Sequence, residues 1–423
     1  MKIVVPNECV DFECRVALTP EVSKKLTDLG HDIVIEKGAG VAAGMPDAAY
    51  EAVGAKIAKD TKSLYQGAEI IIRVSPPSSS EITALPKDSI LIGMLKPHGN
   101  EKLATELAKK KITAFALEFI PRISRAQSMD VLSSQSNLAG YKAVVDAAST
   151  FGRAMPMMMT AAGMIPPARV LILGAGVAGL QAIATARRLG AIVSAFDVRL
   201  AVKEQVESLG ATFVEVESSE SGEGAGGYAK EMSDDYKKRQ QAKLEDVMRQ
   251  QDIVITTAQI PGKPAPILIT EKMVKDMKTG SIIVDLAVET GGNCAVSEPG
   301  KIAQKHGVKI LGYPNFPSRI PFDASQVYAR NALNFLHLLL ASDKKTLAID
   351  WKDEIVMGAA LCHEGDVIHP TLKAAPPALK TERSISKAVP KAPPKKVAPS
   401  TSKTTPKVAP SSPKAAPKKK KEK

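Results

Sequence analysis

Short apolar runs separated by amphipathic stretches recur along most of the chain, and the period of each one sets the element it predicts. KIVVP, HDIVIEKGAG, GAEIIIRVSPP, DSILIGMLKPH and ITAFALEFI read as five strands. Between them, Pro20 to Leu29 (closed by Gly30), Pro46 to Val53 and Glu101 to Lys111 carry helical spacing. A polar loop then opens a helix over Ser134 to Ala148, and a second series begins. Val170 to Leu173, Ala191 to Phe196, TFVEV, DIVITTA, SIIVDLA and VKILGYPNFPS are its strands, with helices from Leu180, over VKEQVESLG and over Asp323 to Ser342. Glu364 to His369 reads as a terminal turn or hairpin. Several of these strands lack polar alternation, as strands buried on both faces do, so the series predicts α/β architecture with parallel, doubly wound sheets. Met155 to Met164, MPMMMTAAGM, reads as apolar filling between helix and sheet.

One stretch carries chemistry. After the buried run ending at Leu173, Gly174, Gly176 and Gly179 stand in G-x-G-x-x-G spacing, and a helix follows at once. Gly174 allows a tight turn, Gly176 removes a Cβ where a diphosphate must approach, and Gly179 lets the helix pack closely on the strand. The helix N-terminus then offers unpaired N–H groups to an anion. The next apolar run ends in Asp197, 18 residues after Gly179, where a carboxylate accepts from ribose hydroxyls and repels a 2′-phosphate. NAD(H) rather than NADP(H) is the expected cofactor, although Arg199 stands close to the acid.

Charge changes the picture less than it first suggests. The chain of 423 residues has a formal net charge of +12, but Ala378 to Lys423 alone holds 13 Lys and one Arg against two Glu. The body is therefore formally neutral, and the basic excess belongs to a Pro/Ala/Lys-rich tail that buries too little surface to fold. Such a tail suits a solvated tether better than a nucleic-acid arm, and attraction to anionic lipid head groups is a third use. No nucleic acid is expected as a partner. Cys9, Cys14, Cys294 and Cys362 lack C-x-x-C spacing, which points to reduced thiols and away from a metal site. A strand at the N-terminus leaves no room for a leader, and the late run Phe335 to Ala341 is too short to cross a bilayer.

Two polar stretches invite function. Arg122, Arg125, Gln127, Asp130 and Ser133 crowd into twelve positions before the glycine-rich region. They fit a solvated linker or a loop reaching over a bound nicotinamide, and spacing alone does not choose. SSESGEGAGGYAKEMSDDYKKRQQ is long for a loop in a compact domain, and reads as a lid carrying Tyr228 or as plain surface chain.

Together PRISRAQSMDVLSSQSNLAGY, PMMMTAAG, PPARVLILGAGVAGLQAIATA, AFDVR, GGYAKEM and TTAQIPGKPAPILIT resemble the NAD(H)-binding component (alpha subunit, domain I) of proton-translocating nicotinamide nucleotide transhydrogenases. The resemblance covers about residues 1 to 370. It implies two Rossmann-like domains with the nucleotide in the cleft between them: residues 1–135 with 322–372, and residues 136–321, followed by a disordered tail over 373–423. It also implies that the helix after Asp323 returns to the first domain. By the same likeness the chain is a homodimer that passes hydride directly to NADP(H) on a partner component. A separate membrane proton-channel subunit couples that transfer to proton movement, and the chain sits in the cytoplasm on the inner face of the membrane through its partners. The split arrangement of subunits is implied because no membrane helices follow the tail. Family positions match Arg122, Gln127, Asp130 and Ser133 in the loop and Tyr228 in the mobile segment. Diphosphate and ribose contacts match Gly174, Ala175, Gly176, Val177, Gly179, Asp197, Val198 and Arg199, and the adenine-side loops match Gly227 and Gln259.

Alanine dehydrogenases share the pattern around Arg15, but their oxo-acid Lys and His positions fall here on Ser75 and Lys96, with His98 two residues away. Oxidative deamination would lack its acid–base pair. A non-enzymatic NAD sensor with a basic binding tail is the reading from another class.

Overall fold

The computed structural model describes residues 1–217, 220, 222–224, 230, 232–260 and 262–373. Fifteen of its strands lie in two sheets. The first is built from β1 (Lys2–Val5), β2 (Asp32–Glu36), β3 (Lys56–Ala58), β4 (Ile70–Ile72), β5 (Ile90–Gly93) and β6 (Thr113–Ala116). A small exposed hairpin, β7 (Met158–Thr160) and β8 (Gly163–Ile165), separates it from the second. That sheet holds β9 (Arg169–Leu173), β10 (Ile192–Phe196), β11 (Thr212–Phe213), β12 (Ile253–Thr256), β13 (Ile282–Asp285), β14 (Lys301–Lys305) and β15 (Val308–Gly312). The chain then rejoins the first sheet with β16 (Ala360–His363) and β17 (Asp366–Val367).

Both sheets are doubly wound. Their orders are β17-β16-β6-β5-β4-β1-β2-β3 and β11-β10-β9-β12-β13-β15-β14, parallel except at the edge formed by β16 and β17 and at β14. The strand order reverses between β1 and β4 in one sheet and between β9 and β12 in the other, and ligands of open parallel sheets bind outside strand C-termini at such points. Apolar side chains cover both faces of each sheet: Ile70, Ile71 and Ile72 are fully buried, as are Val170, Leu171 and Ile172. Burying one such side chain contributes roughly 1.5–3 kcal/mol.

Two long helices join the halves. Helix Val131–Thr150 leaves the first sheet, and its Ala143, Val144 and Ala147 enter the core of the second. Helix Pro321–Leu338 comes back, placing Tyr328, Ala332, Phe335 and Leu336 among Ile3, Val5 and Ile92 of the first core. Helix Val131–Thr150 also packs on helix Val177–Arg188, so closely that a Cβ on Gly140 would collide with the backbone carbonyl of Ala178.

Several expectations change. The methionines do not fill a gap: Met157, Met159 and Met164 are 57, 74 and 59% exposed on the β7–β8 hairpin, and only Met155 is buried. Apolar composition could not tell a core segment from a hairpin that leaves the body. The polar stretch after Val216 includes the start of helix Asp234–Met248, capped by Ser233, which buries Tyr236, Gln240, Leu244 and Met248 at four-residue spacing. Its heavily charged outer face hid the stripe. Strands β3 and β14 were missed because they are short, sheet-edge segments with few apolar residues.

Gly140→Ala is expected to destabilise the protein by roughly 1–3 kcal/mol, since no nearby backbone can yield to the added methyl. Gly152→Ala, where a Cβ meets nothing within 4 Å, should stay within about 0.5 kcal/mol. Denaturant midpoints of the two variants measure the difference.

Candidate nucleotide-binding site

The glycine turn sits at the C-terminal end of β9, next to the reversal of strand order. Gly174 has φ of +103°, a conformation that a side chain strains, and a Cβ there would come 2.5 Å from Thr257 Oγ1. Gly179 lies against the Gly174 carbonyl with no room for a Cβ. Gly176 differs, because a Cβ on it would meet nothing within 4 Å. It is the N-cap of the 12-residue helix Val177–Arg188 and has no side-chain cap, so the N–H groups of the first turn face open space. That empty, donor-rich cradle fits an anionic diphosphate.

Asp197 closes the turn from the neighbouring strand. It follows Phe196, the last residue of β10, and is 7% exposed. The Ala175 N–H donates to its Oδ2 at 2.7 Å. Arg199 donates three times, from its backbone N–H and Nε to Oδ1 at 2.9 Å each and from Nη2 to Oδ2 at 2.7 Å. Those side-chain hydrogen bonds hold the Arg199 guanidinium above its ordinary range. Four donors nearly saturate a carboxylate. Arg199 is thus a counter-charge locked on the acid rather than a free cation beside it.

The surrounding loops are fixed by buried polar contacts. The Thr257 hydroxyl, after β12, donates to the Gly174 carbonyl at 3.0 Å. Asp285, ending β13 and fully buried, accepts from the N–H groups of Ala287, Asn293 and Cys294 and from the hydroxyl of Ser297. Asn293 in turn receives the Ala258 N–H at 3.1 Å and donates to the Ala258 and Pro266 carbonyls. Gln259 is exposed beside this frame, with Nε2 donating to the Leu286 carbonyl at 3.2 Å. Thr257, Asp285 and Asn293 escaped the sequence reading; a polar residue ending an apolar run was the available signal.

On the first-domain side, the loop before helix Val131–Thr150 folds as a 3-10 turn over Ser124–Met129. Ala126 and Met129 are buried in the first core, while Arg122 and Gln127 are exposed. Asn331 and Asn334 donate to the Ser128 carbonyl, and Arg125 grips Asp353 with two bonds of 2.6 and 3.0 Å. Asp130 caps the helix, accepting the Ser133 N–H at 2.8 Å and its hydroxyl at 2.6 Å. The structure thus gathers Gly174, Ala175, Gly176, Val177, Gly179, Asp197 and Arg199 into one cluster, and Asp130 with Ser133 into another. Val198 lies beside Gly222, where a Cβ would strike the Val198 carbonyl, so the glycine-rich stretch passes next to Asp197. Gly227 and Tyr228 fall outside the described residues.

Loops of the two sheets meet across the cleft. Lys96 Nζ lies 3.4 Å from Glu289 Oε1, Gly262 sits against the His98 ring, and Asn315 donates to Glu13 at 2.9 Å. Beneath them runs a buried charge network. Glu13 binds Arg15 through Nε at 2.8 Å and Nη2 at 2.7 Å, the Arg15 Nη1 reaches Gln135 at 2.8 Å, and the Ser75 hydroxyl donates to Glu13 at 3.2 Å. Glu8 accepts the Val74 and Ser75 N–H groups at 2.6 and 2.7 Å and stands 3.4 Å from Arg73.

This architecture defines a two-domain α/β protein with a Rossmann-type nucleotide cradle. The chain belongs to the alanine dehydrogenase/PNT family: "Alanine dehydrogenase/PNT, N-terminal domain" matches residues 4–139 and "Alanine dehydrogenase/PNT, C-terminal domain" matches residues 143–370. It is 53% identical over 380 residues to the first portion of the split NAD(P) transhydrogenase subunit alpha of Rhodospirillum rubrum, covering 88% of this chain and 99% of that protein. The crystal structure of transhydrogenase from Sinorhizobium meliloti superposes with a TM-score of 0.76 at 45% identity, over 88% of this chain and all of that one. A solved L-alanine dehydrogenase superposes with a TM-score of 0.73 at 26% identity, over 88% of this chain and 98% of that one. Relatives named as transhydrogenase alpha subunits support an oxidoreductase role. Among the described residues, no helix is long and apolar enough to cross a membrane.

Burial raises the Glu8 carboxyl from 4.5 to about 7, outweighing Arg73 and its two backbone donors. The folded state therefore holds this proton more tightly than the unfolded chain, and the stability it contributes is lost as pH rises from about 4.5 through 7. Unfolding midpoints measured from about pH 4.5 to 8 should fall across that window, and Glu8→Gln, which cannot ionise, should flatten that part of the profile.

Proposed function

We propose that this chain is the NAD(H)-binding subunit of a proton-translocating transhydrogenase. Hydride passes directly between NAD(H) on this chain and NADP(H) on a partner component, while a separate membrane subunit moves the proton. The observation that carries the nucleotide part is the open Gly176 cradle closed by Asp197. When bound, the dinucleotide supplies the hydride donor or acceptor; the protein's part is to hold and orient it. The first-turn N–H groups from Val177 receive the diphosphate, and Asp197 the adenosine ribose, for which Arg199 must yield at least one of its bonds. Val198, Gly227 and Gln259 complete the adenine side. Gln127 orients the nicotinamide end from a loop braced by the Asp130–Ser133 cap and by Arg122, and Tyr228 belongs to a lid that excludes water. Such a reaction needs apposition and dryness more than acid–base groups, so positioning supplies most of the rate.

The same geometry weighs against amino-acid oxidation. Arg15, the residue that would meet an oxo-acid carboxylate, is 5% exposed and already paired with Glu13 and Gln135, and Ser75 stands where a lysine would be needed. We further propose the division into residues 1–135 with 322–372, residues 136–321 and the tail over 373–423. A homodimer on the inner face of the membrane completes the reading. The exposed methionines of the β7–β8 hairpin support it, because they offer apolar surface to a second copy.

The deciding assay measures hydride transfer from NADPH to an NAD analogue by this chain alone and with an NADP-binding component added, beside an alanine-plus-NAD control. Transfer only with the component is expected; reduction of NAD by alanine without it overturns the proposal. Asp197→Ala should weaken NADH binding by about 10- to 100-fold, the loss of charge-assisted hydrogen bonds, as read by titration. Gln127→Asn should slow transfer at saturating nucleotide by about tenfold or more. A large loss of affinity with an unchanged saturated rate would rule out its orienting role.

A further inference from the structure

The first sheet repeats the ribose-binding corner of the second with different chemistry around it. In the second sheet, Leu173 pairs with Phe196, Asp197 is the next residue, and the N–H two residues after Leu173 donates to it. In the first, Val5 pairs with Ile35, Glu36 is the next residue, and the Asn7 N–H, two residues after Val5, donates to Glu36 Oε2 at 2.7 Å. Glu36 thus occupies the place of Asp197 and Asn7 that of Ala175. Among the described residues Glu36 meets two donors, the Asn7 N–H and the Thr61 hydroxyl at 2.8 Å, so unlike Asp197 it keeps acceptor capacity.

A cavity of about 290 Å³ opens at this corner, lined by Asn7, Glu36, Lys37, Lys59, Thr61 and Tyr65, with Glu81 beyond them. Tyr65 is 4% exposed, and its hydroxyl finds no partner among the described residues. Nearby, Nη1 of the buried Arg73 is likewise without one, although Arg73 Nη2 binds Glu81 at 3.0 Å. Leaving such donors unmet in a folded interior costs about 1–3 kcal/mol each, which a polar ligand or water recovers. Lys37 and Lys59 end β2 and β3 at the rim, both exposed. The corner lacks a glycine turn and a helix N-terminus behind Pro6, so an anion there must rely on these lysines rather than on backbone N–H groups.

We propose that this corner is a second ligand site, which takes a ribose phosphate: the vicinal diol on Glu36, the phosphate between Lys37 and Lys59, and the Tyr65 hydroxyl donating to the sugar. A free sugar phosphate and a mononucleotide share that chemistry. The site is separate from the Gly176–Asp197 cradle and does not depend on its function.

Calorimetric titration of the full chain tests the assignment in an Asp197→Ala background, which disables the equivalent acid of the second sheet. Ribose 5-phosphate and AMP are the probes, with free ribose as control. Saturable binding on the order of millimolar is expected for at least one phosphorylated probe. Which of the two binds identifies the source of the ligand. Lys59→Glu, a surface change that leaves the fold intact, should weaken binding by about tenfold or more. Glu36→Gln should abolish it, and Tyr65→Phe should weaken the sugar contribution without changing the response to Lys59→Glu. No saturable binding of either probe, or binding indifferent to Lys59→Glu, overturns the proposal.

Discussion

A carboxylate at the end of the second strand, catching the backbone N–H just past the first, is the constraint from which both halves take their shape. Asp197 with Ala175 and Glu36 with Asn7 are the two instances. A parallel strand ends with donors that no neighbour satisfies, and burial makes an unmet donor costly. An acid placed there meets that need and pins the loop beside the switch in strand order. The same placement leaves a polar corner facing outward, where a sugar hydroxyl can compete for the remaining lone pairs. One structural requirement thus produces a site as its by-product.

What the two corners become depends on the residues behind the first strand. In the second sheet the glycine turn delivers a helix N-terminus at once, and the open face of Gly176 leaves room for a diphosphate. In the first sheet, Pro6, Asn7 and Glu8 lead instead into a long loop held by buried charges, and Glu8, Glu13, Arg15 and Arg73 occupy the interior next to the cleft. That network fastens the domains to one another, since Glu13 reaches Asn315 and Arg15 reaches Gln135 on a connecting helix. Its saturation also removes the free arginine that an oxo acid would need. Fold similarity to an alanine dehydrogenase and chemistry unlike one are therefore compatible, because the scaffold and the charges that dress it vary separately.

The connecting helices decide how rigid the cleft can be. Helix Val131–Thr150 enters one core and helix Pro321–Leu338 the other, so hinge motion must bend or slide helices that are packed at both ends. The loop carrying Gln127 is fixed at Ala126, Met129, Ser128 and Arg125, leaving little but the exposed side chains to move. Such anchoring suits a site whose work is orientation.

The sequence alone determined the α/β class, the doubly wound series of strands and the position of the nucleotide cradle, because these rest on local rules. Apolar runs, helix stops and the interval from Gly179 to Asp197 are set by neighbours along the chain. Local rules also missed the short edge strands β3 and β14 and misplaced the methionines, whose composition suits a core and an exposed hairpin alike. Only the tertiary structure decided that Arg199 is spent on Asp197, that Arg15 is closed off by Glu13 and Gln135, and that Glu36 stands where Asp197 stands. Each of those facts depends on which distant groups share a low-dielectric interior and which face water. Spacing along one chain does not encode that; the packing of sheet on helix does.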